Sequence, residues 1–225
     1  MRKLAIISHT GHYYQSNDEI VGWEPTIREI DQLGNIFDII YHIAPIHQGE
    51  PNQVNIKYKS KNIIFVPIRP TGGNGIIKKL GILYHMPYNL FVIIKILKKV
   101  NWIHFRAPTN LGIFVLPLLC LFPNKKKWIK YAGNWGQKKI VRSYLLQRWW
   151  LKYFQNSVVT INGKWEKQAQ HLLSFENPCL TTEELTYAKK TGMKKDFSGS
   201  IKLCFIGRLS VNKGLVKLID ALKNI

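Results

Sequence analysis

The sequence predicts an α/β fold: a doubly wound parallel sheet with the beginning of a second, incomplete domain behind it. Two observations carry this. Along residues 1–175, short apolar runs alternate with segments of helical periodicity, the pattern of strands buried on both faces by crossover helices. Several of these runs also end in loops of glycine, proline, asparagine or histidine, and in such sheets ligands bind beyond the carboxyl ends of the strands. With 225 residues, 46% of them apolar and 20% charged, the chain is long enough for one or two folded domains.

Lys3–Ser8 reads as the first buried strand, followed by the polar loop His9, Thr10, Gly11 and His12. A glycine here lets backbone approach a ligand closely, as in Rossmann-like domains. There is no G-x-G-x-x-G, so a dinucleotide site is not supported. Pro25–Leu33 fits a helix, with proline near its first turn and Gly34 just past its end. Ile36–Ile43 and Asn62–Ile68 follow as strands, then helical patterns over Ile76–His85 and Pro87–Val100. Trp102–Arg106 is a fourth strand, Leu111–Leu121 a buried helix, Trp128–Ala132 a fifth strand and Lys138–Phe154 a long helix. Val158–Ile161 is a sixth strand and Gly163–Leu173 a further helix.

The loops placed at strand ends are His9–His12, Pro70–Gly75, Arg106–Asn110 and Gly133–Gly136. Residues 1–175 are read as one domain, 176–200 as a connection of weak periodicity, and 201–225 as the start of another domain.

The net charge of +20 is concentrated in one segment. Between Pro51 and Trp165 there are twenty Lys or Arg and no Asp or Glu, while elsewhere thirteen basic and thirteen acidic residues cancel. Such a field points to an anionic partner: nucleic acid, anionic lipid or a polyanionic substrate. Within it, Lys138–Phe154 mixes cations with Tyr144, Trp149, Trp150 and Tyr153. That composition suits a helix lying on an anionic membrane, with Lys125, Lys126 and Lys127 adding charge upstream. It reads equally as a domain helix that buries Val141, Leu145 and Trp149.

The longest apolar run, Leu111–Phe122, contains Pro117 and falls short of the roughly twenty residues of a membrane span. No signal peptide pattern opens the chain. The three cysteines form no C-x-x-C pair, and Cys120 and Cys204, in apolar runs, are expected to be buried, reduced thiols of a cytosolic protein.

Near the end, Ile201–Ile206 has the pattern of a buried strand, Gly207 permits a tight turn, and Arg208 and Lys213 flank it. Gly214 then opens a helical pattern with Leu215, Leu218, Ile219 and Leu222 on one face. Strand, turn, two cations and a helix N-terminus make a cradle for a phosphate or diphosphate, or else a surface turn with solvated cations.

The run Phe205-Ile206-Gly207-Arg208-Leu209-Ser210, completed by Lys213-Gly214, resembles the segment that opens the nucleotide-sugar domain of retaining GT-B glycosyltransferases, family 4. The resemblance is close over 201–225 and extends to 1–175 in architecture. It implies that Gly207, Arg208, Lys213 and Gly214 hold the diphosphate of a nucleotide diphosphate sugar. It also implies that the His9–His12 loop lies at the interdomain cleft, near donor phosphate and acceptor; the alternative is an ordinary polar turn.

Such a relative moves a sugar onto a saccharide or lipid-linked saccharide at the cytoplasmic face of the membrane, usually in bacterial cell-surface polysaccharide assembly. The family's Glu-x7-Glu pair falls well beyond Ile225 and is absent here, which leaves room for a partner chain that completes the donor domain.

On the acceptor side the candidates are Arg106, for an anionic group, and Asn134 with Trp135, for a sugar face; a solvated cation and a packing tryptophan are the plain alternatives. No cofactor is implied, because Arg and Lys can stabilise a leaving diphosphate without metal. The histidines are not at ligand spacing with Cys, Asp or Glu, so no metal site is expected. The alternative function is a non-catalytic basic protein that binds nucleic acid or membrane. Nucleic acid is the weaker partner, since no helix-turn-helix, zinc finger or RNA-binding sheet signature is present.

Overall fold

The structure, a computed structural model, describes residues 1–15, 19–50, 54–72, 76–137, 140–155, 157–166, 168–175, 182–196, 198–199, 202–206 and 213–223; the side chains of 76–80 are not described. Contacts divide the chain into two compact units, Met1–Asn177 and Pro178–Ile225.

The first unit is an α/β Rossmann-like fold. Its parallel strands are β1 (Lys3–Ile7), β4 (Ile39–His47), β6 (Ile63–Ile68), β7 (Trp102–Ala107), β8 (Lys126–Tyr131), β9 (Val158–Asn162) and β10 (Leu172–Phe175), in the spatial order β10-β9-β8-β7-β1-β4-β6. A small extension adds β2 (His12–Tyr14), β3 (Ile20–Trp23) and β5 (Asn55–Lys57): β2 runs parallel to the end of β4, and β3 pairs antiparallel with both β2 and β5. The helices of this unit are α1 (Glu24–Leu33), α2 (Ile76–Leu97), α3 (Gly112–Cys120) and α4 (Arg142–Tyr153).

Period-two alternation sorts the strands onto two faces. Ala5, Ile7, Ile43, Ile103, Phe105, Ala107, Ile129 and Tyr131 join α2, α3 and α4 in the larger core. Leu4, Ile6 and Ile40 pack with Ile30 of α1 in the smaller one. Further along the strands, the alternate positions that continue the α1 side are polar: Ser8, His42, His104, Arg106 and Lys130, all buried. One face of the sheet thus changes from apolar to polar as it approaches the strand carboxyl ends.

Several boundaries differ from expectation. The two helical patterns around Pro87 form one helix, α2, with Pro87 on its exposed side. The helix expected from Lys138 begins at Arg142. Gly163–Leu173 is not a helix. Gly163 sits at φ +80°, and Leu172–Phe175 instead pairs in parallel with β9, supplying hydrogen bonds to an edge that would otherwise be open.

The expectation of buried thiols is also corrected: Cys120 and Cys204 are both exposed. Cys120 ends α3 on its solvent side. Among the described residues, no helix is long and apolar enough to cross a membrane.

In the second unit, α5 (Thr182–Gly192) occupies part of the expected connection, and α6 (Leu215–Leu222) follows Gly214, at φ +76°. Described residues 202–206 form no strand, and Leu203 and Ile206 are exposed. A buried parallel strand needs neighbours to bond its backbone, and no strand is found among the described residues of this unit.

Candidate functional site

The strand order reverses at β1. The chain steps outward from β1 to β4 and β6, then returns through α2 to β7 on the other side. A crevice beyond the carboxyl ends is expected at such a point. There the loops enclose a cleft of about 240 Å³, whose lining includes His9, His47, Arg69, Thr71, Asn110 and Tyr144. Its described lining carries no carboxylate. Three of the four loops singled out in the sequence contribute to it; Gly133–Gly136 does not.

Each of three cleft loops is held by one residue whose backbone N–H and C=O are both bound. After β6, the amide of buried Asn89 accepts from Arg69 N–H (2.9 Å) and donates to Arg69 C=O (3.0 Å). After β7, the amide of buried Gln147 accepts from Thr109 N–H (3.1 Å) and donates to Thr109 C=O (2.8 Å). Helix α3 can approach α4 at this point because Gly112 has no side chain; a Cβ there would run into the Gln147 carboxamide.

After β1 the clamp on Thr10 is a ring of side chains. Thr10 N–H reaches Ser8 Oγ (3.3 Å), Ser8 Oγ meets His42 Nε2 (2.8 Å), and His42 Nδ1 meets the Tyr58 hydroxyl (2.6 Å). That hydroxyl meets His12 Nε2 (2.7 Å), and His12 Nδ1 returns to Thr10 C=O (2.8 Å).

The partners dictate every tautomer. A carbonyl only accepts, so His12 carries its proton on Nδ1. Burial lowers the His12 pKa to about 4, so the ring is neutral and its Nε2 accepts from the Tyr58 O–H. Tyr58 oxygen must then accept from His42 Nδ1–H, and His42 Nε2 accepts from Ser8. Burial also holds His42 well below the ordinary histidine range. Gly22 makes room for this ring, since a Cβ there would lie 2.6 Å from His12 Nε2.

Beside the ring lies a charged cluster. Glu29 of α1 forms ion pairs with Arg106 Nη1 and Lys130 Nζ, each at 2.8 Å, and Lys130 Nζ also sits 4.1 Å from the centre of the Phe175 ring. Burial alone would raise the Glu29 carboxyl, but Arg106 and Lys130 more than offset it and hold it below the usual range. His104 donates from Nδ1 to Trp128 C=O (3.2 Å), and burial, then the Arg106 charge, lower it to about 3.

These placements correct several sequence expectations. Arg106 is neither facing an acceptor nor solvated: it occupies a strand position on the α1 side, where Glu29 neutralises it. His12 and Thr10 are buried in the ring, so of the first loop it is His9 that lines the cleft. Desolvation and then Arg106 lower the His9 pKa.

Asn134 is exposed and accepts from Gly136 N–H (3.0 Å). Trp135 packs edge-on against Tyr131 beside the main core, the plainer of its two readings. Gly207 and Arg208 lie outside the described residues; Lys213 is exposed and Gly214 caps α6. Asn89, Gln147, Tyr58 and Arg69 are the residues that sequence reasoning missed.

No family model matches the chain, and no curated protein matches it. Among solved structures, sucrose-phosphate synthase from Thermosynechococcus elongatus aligns with 100% of this chain at 13% identity and a TM-score of 0.57. The chain spans 60% of that structure. A piece of the same enzyme matches 85% of this chain and 97% of its own length, at 12% identity and a TM-score of 0.43. The whole-length likeness shows the fold, a mostly parallel sheet flanked by helices as in that enzyme.

Proposed function

We propose that the first unit is the acceptor-side part of a glycosyltransferase. In this reading it receives a saccharide or lipid-linked saccharide in the cleft between β1 and its neighbours, and the donor is a nucleotide diphosphate sugar. The observation that carries it is the preformed cleft at the switch point, with three clamped loops, hydroxyl and amide groups and no carboxylate in its described lining. The finer expectations remain part of the proposal: a retaining reaction, donor diphosphate on Gly207, Arg208, Lys213 and Gly214, a partner chain supplying further donor contacts, and a role in cell-surface polysaccharide assembly.

Contact with an anionic membrane, at its cytoplasmic face, is supported by α4. Val141, Leu145, Leu146, Trp149, Tyr153 and Phe154 are all exposed, alongside exposed Arg142 and Lys152. Aromatic and basic residues together suit the headgroup region.

The lysine run upstream is otherwise engaged. Lys125 Nζ donates to Val100 C=O (2.5 Å), and Lys127 Nζ to Leu119 and Phe122 C=O (3.3 and 3.1 Å). Those two lysines cap chain carbonyls rather than reach for lipid.

The test is titration of the chain with a panel of saccharides, read by the His9 and His47 imidazole signals in NMR. Shifts of those signals at millimolar saccharide are expected. No shift with saccharides, together with shifts on adding an oligonucleotide, would overturn the reading.

A further inference from the structure

Arg69 is the cation of the cleft, and its surroundings describe a ligand. Its backbone is fixed on both sides by Asn89, which is fully buried, and its guanidinium lies 4.5 Å from the centre of the Tyr88 ring. Arg69 is exposed, and the ring contact together with the clamped backbone restricts its guanidinium before any ligand arrives. Among the described residues no carboxylate pairs with it, whereas buried Arg106 has Glu29. A restrained guanidinium in a cleft whose described lining has no carboxylate favours a phosphate, to which it can donate two parallel hydrogen bonds.

Tyr88 connects this cation to an unusual surface. Residues 84, 88 and 91 fall on one side of α2, and Tyr84, Tyr88 and Phe91 are exposed, at 75%, 44% and 65%; Leu83 and Pro87 beside them are exposed too. An exposed helix face in a globular domain is ordinarily polar. One turn further on, the same side carries exposed Lys95, and exposed Lys98 and Lys99 follow just past the end of α2. Apolar rings next to a fixed cation, followed by lysines, match an anionic amphiphile.

We infer that Arg69 binds the phosphate of a lipid-linked acceptor, and that the Tyr84–Tyr88–Phe91 side of α2 meets the apolar chain attached to that phosphate. The inference rests on the cleft being the acceptor site, and it names the acceptor's class: a phosphate-bearing lipid, with its polar group in the cleft and its chain along α2.

The test uses the whole chain and vesicles of phosphatidylcholine with or without phosphatidic acid, read by co-sedimentation. The wild type should bind vesicles containing phosphatidic acid in preference to pure phosphatidylcholine. Arg69→Gln should bind them roughly tenfold more weakly, as expected for a lost charged hydrogen bond. Lys61→Gln removes the same unit of charge at the other end of the strands and should change binding less than about twofold. Equal losses in the two variants would overturn the site, leaving only diffuse attraction.

Tyr84→Ser/Phe91→Ser should also weaken vesicle binding, while leaving unchanged the shifts that inorganic phosphate causes in the His9 and His47 signals. If vesicle binding survives that double change, the α2 side does not meet the lipid chain and that half of the inference is overturned. If saccharides shift the cleft signals but Arg69→Gln binds vesicles like wild type, this inference fails and the acceptor reading stands. If Arg69 is needed for vesicle binding but saccharides cause no shift, the acceptor reading fails.

Discussion

Two polar clusters lie side by side on the α1 face, and they solve the problem of burial in opposite ways. Ser8, His42, Tyr58 and His12 carry no charge, and each donor is matched to one acceptor in a closed ring. Glu29, Arg106 and Lys130 keep their charges and depend on mutual attraction. The first arrangement is sensitive to protonation, the second to loss of any single partner. Buried charges are costly to strand, whereas a broken neutral bond costs only the unmet group.

The largest expected effect comes from breaking the charged cluster. Glu29→Ala leaves Arg106 and Lys130 buried without a counter-charge and should cost about 3–5 kcal/mol, measured by denaturant unfolding. A loss below ~1 kcal/mol would mean that water already screens the cluster.

Acid comes next. His12 and His104 are lowered to about 4 and 3 by burial, and His42 is lowered as well, so the unfolded chain binds more protons below pH 6.5. The stability they contribute is present above pH 6.5 and is lost as pH falls towards their folded values. Between pH 6.5 and 5.5 the loss should be roughly 1 kcal/mol per histidine. The Glu29 carboxyl adds to it only below its ordinary pKa of 4.5. Denaturant midpoints at several pH values measure this, and a flat profile from 6.5 to 5 would contradict the neutral ring.

Tyr58→Phe removes the hydroxyl that joins the two histidines. It strands one donor on His42 and one acceptor on His12, for about 2 kcal/mol. It should also flatten part of the acid dependence, and hydrogen exchange at Thr10 should speed up. The smallest effect on stability is expected from Trp149→Ala, because that side chain is 45% exposed. It should change unfolding by less than ~1 kcal/mol yet reduce sedimentation with anionic vesicles.

Much of the sheet was legible because its strands are apolar runs and its helices keep one periodicity. The loops after β1, β6 and β7 were legible for the same reason, since they are where those runs stop. The clamps were not. Ser8 and His42 are 34 residues apart, and His12 and Tyr58 are 46 apart, so no local pattern links them. Asn89 and Gln147 each sit as one polar residue on the inward side of a helix, which periodicity registers only as a small defect.

Arg106 misled because a cation at the last position of an expected strand was taken to face ligand or solvent. Alternation within β7 puts Arg106 on the same side as His104, towards α1 and Glu29. The three-residue β2 and β5 are too short to carry a period, and the end of β9 recruited Leu172–Phe175 against the helical signal.

The ring also has a direction. Its sequence of donors begins at one peptide group's N–H and ends at the C=O of the same residue, Thr10, so the circuit cannot be run backwards. Passing a proton around it would require the amide nitrogen to give one up. His12 and His42, though histidines beside a cleft, are therefore barred from relaying protons to a substrate. The imidazoles in the cleft's described lining are instead His9 and His47.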